Sequence, residues 1–456
     1  MMSTHSHTKI LVLLFLSTLM DTVAYTGMFG YLPELLQEFG IPIEEIGYHQ
    51  GAIVAEYTTS CCLSLVLLTK FFGKINIWKT FVAFSAFHIL VFVFLALTNS
   101  LPLLLVAVFF ASILLIKAPI YDVIVYRISD ETNQSQYFNY AVTAPYNAGL
   151  FLGPALGGIL SFPVDQYPNI FPRSALMKNY PIFLANITFA ILMVAITVLA
   201  VYVLPKDLDE AKNDTESTSF LLNEIEDSSN SNRSRQIKNV LRDRNVYYAM
   251  TSYFIYAIVT GAFVTLYSVW SQTPIHLGGV GYTPRNAGLV LLIAGVLVLV
   301  VDLVLVGRSF EWLGLKRTLQ FWTLLEVVMI SFPLECRLIN MEQLKFAILV
   351  LMMASVRVCT TGIRVGVSTI LYNIIPSQLV AEAMSLRLCI EFACHAVGQV
   401  MIGSLFAWSI SKEDSTDSTG FPFNHVFSFY LLSSLMMICL FIQSFLNEKI
   451  NQRPNV

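Results

Sequence analysis

Twelve stretches of about 20 or more mostly apolar residues follow one another along this chain of 456 residues. A helix of about 20 apolar residues is long enough to cross the hydrocarbon core of a bilayer. Hydrophobic residues make up 56% of the sequence and charged residues 12%, a balance that excludes a soluble globular domain. The sequence therefore predicts an all-α membrane protein with twelve transmembrane helices. The predicted spans are Lys9–Leu32, Ile46–Phe72, Trp78–Thr98, Leu101–Tyr126, Tyr137–Ser161, Tyr180–Leu204, Tyr247–Thr273, Pro284–Arg308, Lys316–Ile339, Leu344–Ile374, Val380–Ser409 and Phe423–Asn447.

One long polar segment divides the twelve spans into two sets of six. Asp, Glu, Asn and Ser dominate it, so it has too few apolar residues to bury a core. We predict an N-terminal six-helix bundle over residues 1–204, a flexible cytoplasmic linker over 205–245 and a C-terminal six-helix bundle over 246–456. Two halves with equal numbers of spans indicate an internal duplication.

The orientation follows from the positive charges. With the amino terminus in the cytoplasm, most of the 27 lysines and arginines lie on the inner side of the membrane. The positive-inside rule then predicts that both termini are cytoplasmic. No sorting motif ends the chain, so the plasma membrane and an endomembrane such as the vacuole or endoplasmic reticulum both stay open. The seven cysteines lack metal-ligand spacing, and we expect neither a metal site nor a cofactor.

The fifth span carries small or ring-locked residues at every fourth position. On a helix such residues form one face, and in lipid a face of this kind lets two helix backbones approach closely. Pro154 within the span removes a backbone donor and favours a bend there. An ordinary glycine-rich helix contact is the simpler interpretation. The face consists of Ala141, Pro145, Gly149, Gly153 and Gly157.

Six helices, a polar loop, six helices and a glycine-proline run in the fifth span resemble the major facilitator superfamily. The run Gly149, Gly153, Pro154, Gly157 and Gly158 is similar to the antiporter-type motif of that family. Residues 273–281, 403–409 and 420–424 are similar to the fungal and plant drug:proton antiporter branch that includes the zinc-induced facilitator-like proteins. Gly398 and Gly403 occupy the corresponding place in the second half, with Gln399 instead of the proline.

The resemblance implies a secondary transporter that moves a small solute by alternating access, with proton-coupled antiport as one form. Two six-helix bundles would rock about a central site, with the fifth and eleventh spans as close contacts between them. The implied partners are a small-molecule substrate, protons and the lipid bilayer, without nucleic acid, and the chain would act as a monomer. An uncoupled facilitator and a non-transporting membrane sensor are the alternatives, whereas no nucleophile-base pair or phosphate loop favours an enzyme.

The chain departs from the family pattern at three places. The loop at residues 68–79 lacks the acidic residue of the family's cytoplasmic latch, and an apolar residue near Val108 replaces the arginine expected in the fourth span. The cysteine- and histidine-rich signatures of the zinc-linked plant proteins are also missing, so zinc is not supported as a substrate. The loop after the eighth span keeps the latch pattern, at Gly307, Glu311, Gly314, Lys316 and Arg317.

Ionisable residues within the predicted spans are the candidates for substrate binding and proton coupling. A charged group at membrane depth costs at least ~2.5 kcal/mol, so it usually faces a cavity or a partner. Coupling requires a carboxylate that binds a proton in one orientation and releases it in the other, which favours Asp21 and Glu391, followed by His395. Snorkelling of Arg387 and plain interhelical hydrogen bonds are the alternatives. The candidates are Asp21, Glu56, Asp122, Arg357, Arg364, Arg387, Glu391 and His395.

Overall fold

The computed structural model describes residues 4–69, 77–113, 117–128, 137, 139–171, 174–204, 243–331, 339, 341–374, 380–413 and 424–447. Within these ranges the regular structure is helical, and no β-strand is present. A helix satisfies its backbone hydrogen bonds internally, which the interior of a bilayer requires. The predicted linker lies outside the described residues up to position 242.

Thirteen helices of twelve or more residues make up most of the described chain. Residues 114–116 lie outside the described ranges, so the fourth predicted span corresponds to the two helices on either side of them. The helices are α1 (Thr4–Glu38), α2 (Ile46–Thr69), α3 (Ile77–Ala96), α4 (Leu101–Ile113), α5 (Lys117–Ile128), α6 (Ala144–Leu160), α7 (Phe183–Val203), α8 (Arg244–Gln272), α9 (Pro284–Val301), α10 (Leu315–Ser331), α11 (Glu342–Ile374), α12 (Val380–Glu413) and α13 (Phe427–Ser444).

Helix boundaries agree with the predicted spans at some positions and differ at others. Helix α9 begins at the predicted residue, Pro284, because Pro fits the first helical position and the Thr283 hydroxyl accepts a hydrogen bond from the amide of Asn286 at 3.4 Å. Helix α1 differs, since it continues through Pro33 to Glu38, beyond the predicted end at Leu32. A proline removes one backbone donor, and the bonds beyond it extend the helix by more than a turn.

By length and composition, seven of the described helices can cross a membrane, and two shorter apolar helices accompany them. The seven include all of α3, α7, α8 and α13 and most of α1, α11 and α12. Helices α6 and α10 are not among the seven because each has 17 residues, one fewer than the 18 required of a span. In the case of α6, a π-helical segment at Asn139–Thr143 comes directly before it and supplies further length to the fifth span.

The described residues divide into two compact units. The first combines residues of 1–41, 60–224 and 283–292, and the second combines residues of 42–59, 225–282 and 293–456. Helices α2 and α9 each divide between the units, so the units differ from the two halves expected along the sequence. The division at 1–204 and 246–456 therefore stays a prediction.

Equivalent helices pair in the two units. In the first unit α1 packs along α6, which are the first and fifth spans of the N-terminal half. In the second unit α8 packs along α12, the first and fifth spans of the C-terminal half. The repeated pairing is what an internal duplication produces.

Threonine hydroxyls of α1 bond to the backbone of the fifth span. Thr18 Oγ1 donates to the carbonyl of Ala141 at 3.0 Å, and Pro145 has no N–H for that carbonyl. Two turns further along α1, Thr26 Oγ1 donates to the carbonyl of Gly149 at 3.0 Å. The fifth span is therefore supported from the neighbouring helix at two carbonyl groups, one of which, that of Ala141, is four residues before a proline.

Candidate functional site

Asp21 is the centre of a charged cluster in the first unit. Its Oδ1 lies 2.6 Å from Nζ of Lys117 on α5, and Tyr121, one turn further along α5, donates a hydrogen bond to Oδ2. Nδ1 of His88 on α3 lies 3.1 Å from Oδ1 of Asp21. The two atoms form a close contact without the geometry of a hydrogen bond. The Lys117 side chain is completely buried, while 17% of the Asp21 side chain is exposed. Helices α1, α3 and α5 thus bring four titratable side chains together, those of Asp21, His88, Lys117 and Tyr121.

Glu391 is the centre of a second cluster, in the second unit. Its Oε1 accepts a hydrogen bond from Arg364 of α11 at 2.8 Å, and its Oε2 lies 3.4 Å from Nη1 of Arg387, one turn earlier on α12. Tyr253 of α8 donates to Oε2 at 2.5 Å and accepts from Arg387. The Glu391 side chain is 6% exposed, whereas that of Arg364 is 30% exposed. Arg364 is therefore the member of this cluster that solvent reaches most readily.

The structure also locates the other predicted site residues. His395 follows Glu391 by four residues on α12, and its buried Nε2 has no hydrogen-bond partner among the described residues. Glu56 lies on α2 in the second unit, with its buried Oε2 likewise unpartnered within the described ranges. Arg357 lies half-buried on α11, seven residues before Arg364. The side chain of Asp122 lies outside what the structure describes.

The glycine face of the fifth span packs against α1. A methyl group added at Gly157 would lie 2.8 Å from the carbonyl carbon of Gly27, and one at Gly149 would lie 2.5 Å from Cβ of Thr22. Gly153 similarly faces Thr26. Three members of the antiporter-type motif therefore hold two helices of the same half at backbone contact, rather than serving as the contact between halves that we expected of the fifth span.

Gly158 has a different partner. A methyl group added there would lie 2.9 Å from the carbonyl carbon of Pro284, at the start of α9. Gly288, one turn along α9, approaches Ala155 in the same way, at 3.1 Å. Both helix segments belong to the first unit, and this end of α6 therefore meets the eighth span as well as α1.

The eleventh span repeats this arrangement in the second unit. A methyl group at Gly398 would lie 3.0 Å from the carbonyl carbon of Ile258 on α8, whereas one at Gly403 would lie 3.1 Å from Cα of Gly51 on α2. Thr58 of α2 also donates to Oε1 of Gln399 at 3.0 Å. Gln399, where the sequence departs from the expected proline, thus supplies a hydrogen bond to the second span.

The predicted latch lies after α9. A π-helical segment and a seven-residue helix, Gly307–Leu313, end at Gly314, whose φ of 73° suits glycine. Lys316 Nζ donates to the carbonyl of Ser444 at 3.0 Å, and Arg317 is exposed. The Glu311 side chain lies outside the described residues, so the latch function stays a prediction.

Sequence reasoning missed three residues of the two clusters and gave Lys117 no role. His88, a histidine in a strongly apolar span, was the available signal, because such a polar group usually has a partner. Tyr121 and Tyr253 gave no comparable signal, since most of the 20 tyrosines pack as ordinary aromatic residues.

The profile of the Major Facilitator Superfamily matches residues 14–399. The chain belongs to the major facilitator superfamily. A probable peptide/nitrate transporter of Arabidopsis thaliana is 23% identical, with 88% of this chain and 84% of the relative aligned. The zinc induced facilitator-like 1 protein of the same plant is 23% identical over 60% of this chain and 57% of its own length.

Solved structures of the major facilitator superfamily share the fold. A D-xylose-proton symporter superposes with a TM-score of 0.70 at 12% identity, covering 98% of this chain and 99% of its own. A bacterial homologue of the human lysosomal transporter Spinster, inward-facing and unoccupied, gives 0.68 at 12% identity, covering 99% and 98%.

These matches confirm the expected all-α membrane fold of twelve transmembrane helices in two six-helix bundles and the likeness to the zinc-induced facilitator-like branch. The protein is an integral, multi-pass secondary transporter of this superfamily. Its substrate is a small molecule.

Proposed function

We propose that the protein moves its solute by alternating access coupled to protons, and that Asp21 is the main proton-binding carboxylate. The observation that carries this proposal is the ion pair between partly exposed Asp21 and fully buried Lys117. A proton bound to Asp21 cancels its charge and leaves Lys117 as an unpaired charge away from water. Such a state costs several kcal/mol and therefore drives a rearrangement of the helices that hold the pair.

Glu391 is the second coupling carboxylate in this proposal, and its cluster forms part of the solute site. Arg364 and Arg387 place two guanidinium groups around one carboxylate, and Arg364 is partly exposed. An excess of positive charge in this cluster favours a solute that carries a negatively charged group, since guanidinium groups bind carboxylates with paired hydrogen bonds. His395, one turn beyond Glu391, is the next candidate for carrying a proton.

The repeated glycine contacts support the alternating-access part of the proposal. Each compact unit includes the start of one helix from the other half of the sequence, α9 beside Gly158 in the first and α2 beside Gly403 in the second. We infer that these two backbone contacts open and close during the cycle. Because glycine has no side chain, two helices that meet at glycines can separate and come together again without repacking side chains.

A proton-flux screen tests this function while the solute is still unidentified. The purified protein is reconstituted into vesicles that contain a pH-sensitive dye and carry an imposed pH gradient. Peptides, nitrate, and other organic anions and cations are then added one at a time. We expect at least one solute to dissipate the gradient with wild-type protein, while Asp21→Asn and Glu391→Gln insert normally but abolish the effect. Normal proton movement in both variants would remove these carboxylates from the mechanism.

An uncoupled facilitator is the second candidate, and one observation favours it. Val108, buried on α4, stands near the place where proton-coupled relatives are expected to carry an arginine. Counterflow of a labelled solute in vesicles without a pH gradient, unaffected by Asp21→Asn, would support this alternative.

A further inference from the structure

Glu326 is a buried carboxyl group on α10 that the proposed function leaves unused. The residue is 1% exposed. Oε1 lies 3.4 Å from Oγ1 of Thr360 on α11, and Oε2 has no hydrogen-bond partner within the described residues. An ionised carboxylate taken out of water needs several donors to offset the lost hydration. Glu326 therefore lies in surroundings that suit the neutral acid better than the ion.

The hydrogen bonding of the Thr360 hydroxyl gives an independent argument that Glu326 is protonated. Thr360 Oγ1 lies 2.9 Å from the carbonyl of Val356, which can only accept a hydrogen bond. A hydroxyl group has one proton, and the shorter contact takes it. An ionised Glu326 would then face the Thr360 oxygen at 3.4 Å with no proton between the two atoms, whereas a protonated carboxyl group can donate to it. The hydrogen-bond geometry thus points to Glu326 as the donor to Thr360.

Other titratable and charged groups act on Glu326 from the elements packed around it. Arg357 provides the positive charge in this set, and it does not donate to Oε2 of Glu326. Asp302, in the π-helical segment after α9, acts on Cys359 and adds negative charge to the region. The remaining groups are Cys359 on α11, Tyr256 on α8 and Cys439 on α13.

We propose that Glu326 is a further proton-binding site, in addition to Asp21 and Glu391, which holds a proton in this conformation and releases it when the transport cycle admits water to α10. Release transfers the proton from the carboxyl group to water and leaves a carboxylate within the field of Arg357. The part that this proton plays in transport rests on the proposed coupling at Asp21. The protonation of Glu326 does not, because it follows from contacts within the second unit alone.

Infrared spectroscopy of the purified full chain tests the protonation, because a protonated carboxyl group has a carbonyl stretch separate from the bands of a carboxylate. At neutral pH, wild-type protein is expected to show such a band, to shift it on ¹³C-glutamate labelling and to lose it in Glu326→Gln. Asp21→Asn and Glu391→Gln are matched controls that should keep the band. A wild-type spectrum without it, or a band unchanged in Glu326→Gln, would overturn the proposal.

A second variant covers the case in which Glu326→Gln does not fold. Thr360→Val keeps the shape of the side chain but removes the hydroxyl, so the glutamate band should change position. An unchanged position overturns the assignment of the band to Glu326. For a solute found by the proton-flux screen, the number of protons moved per solute should be lower by one in Glu326→Gln. An unchanged ratio, with the band assigned, overturns the transport role of Glu326 and leaves the coupling at Asp21 to its own test.

Discussion

Lys117 Nζ lies 2.6 Å from Oδ1 of Asp21, with the lysine side chain completely removed from solvent. The two residues are 96 positions apart in the sequence, on α5 and α1. A buried ion pair of this kind is stable only while both charges are present, because the loss of one leaves the other unpaired in a medium of low dielectric constant. Protonation of Asp21 is therefore coupled to the packing of α1 against α5.

The variant Asp21→Asn is expected to lower stability as well as to remove coupling. It leaves Lys117 as a buried charge, at a cost of about 3–5 kcal/mol. Thermal unfolding of the detergent-solubilised protein measures this loss. The matched control is the double variant Asp21→Asn/Lys117→Gln, which removes both charges. We expect it to recover much of the stability and to stay inactive in pH-driven uptake. If the single variant unfolds at the wild-type temperature, the pair does not stabilise the fold.

The variant Tyr253→Phe is expected to weaken the second cluster while leaving its three charges in place. The hydroxyl donates to Glu391 at 2.5 Å and accepts from Arg387, so its removal should cost about 1–3 kcal/mol. Tyr247→Phe, on the same helix but 58% exposed, is the control and should change stability by less than about 0.5 kcal/mol. Equal effects of the two substitutions in a thermal unfolding assay would contradict the assigned contacts.

The variant Gly157→Ala is expected to disturb the contact between α1 and α6. Its methyl group would meet the backbone of Gly27, which cannot move aside, and overpacking of this kind costs about 1–3 kcal/mol. Gly366→Ala is the matched control, because its methyl group would meet the flexible end of Leu319 at 3.1 Å. Thermal unfolding should show a lower midpoint for the first variant and little change for the second. A tolerated Gly157→Ala would mean that the two backbones are not in direct contact at this point.

The central segment is expected to lie on the same side of the membrane as both termini. An even number of crossings on either side of residues 205–242 requires this, and the distribution of lysine and arginine favours the cytoplasmic side. Single cysteines are introduced near residue 2, within 205–242 and near residue 455, in a background with the seven native cysteines replaced. In intact cells that carry the protein in the plasma membrane, all three should resist a membrane-impermeant thiol reagent. Labelling of the central cysteine alone would imply an odd number of crossings in each half.

The sequence predicts most of the charged residues that belong to the site, but it predicts few of the contacts that they make with one another. Asp21, Arg364, Arg387 and Glu391 stand out in the sequence because charges are rare inside apolar spans. The spacing of Arg387 and Glu391 also predicts their contact, since residues four apart share a helix face. The role of Lys117 was not predictable in this way, because its partner is on another helix and its nearest acidic neighbour in the sequence, Asp122, lies on a different face.

The sequence by itself determined that the chain forms membrane-spanning helices, that they fall into two sets of six, and that the fifth span carries a glycine face. The first follows from the cost of exposing polar backbone to lipid, which acts on every segment separately. The other two follow from the position of the polar segment and from the four-residue spacing of the small residues. The tertiary structure alone decided that this face meets α1, that Lys117 lies against Asp21, and that the buried carboxyl group of Glu326 lies beside Thr360. Such contacts depend on which faces of distant helices meet, and that is set by the packing of the whole unit rather than by any local pattern.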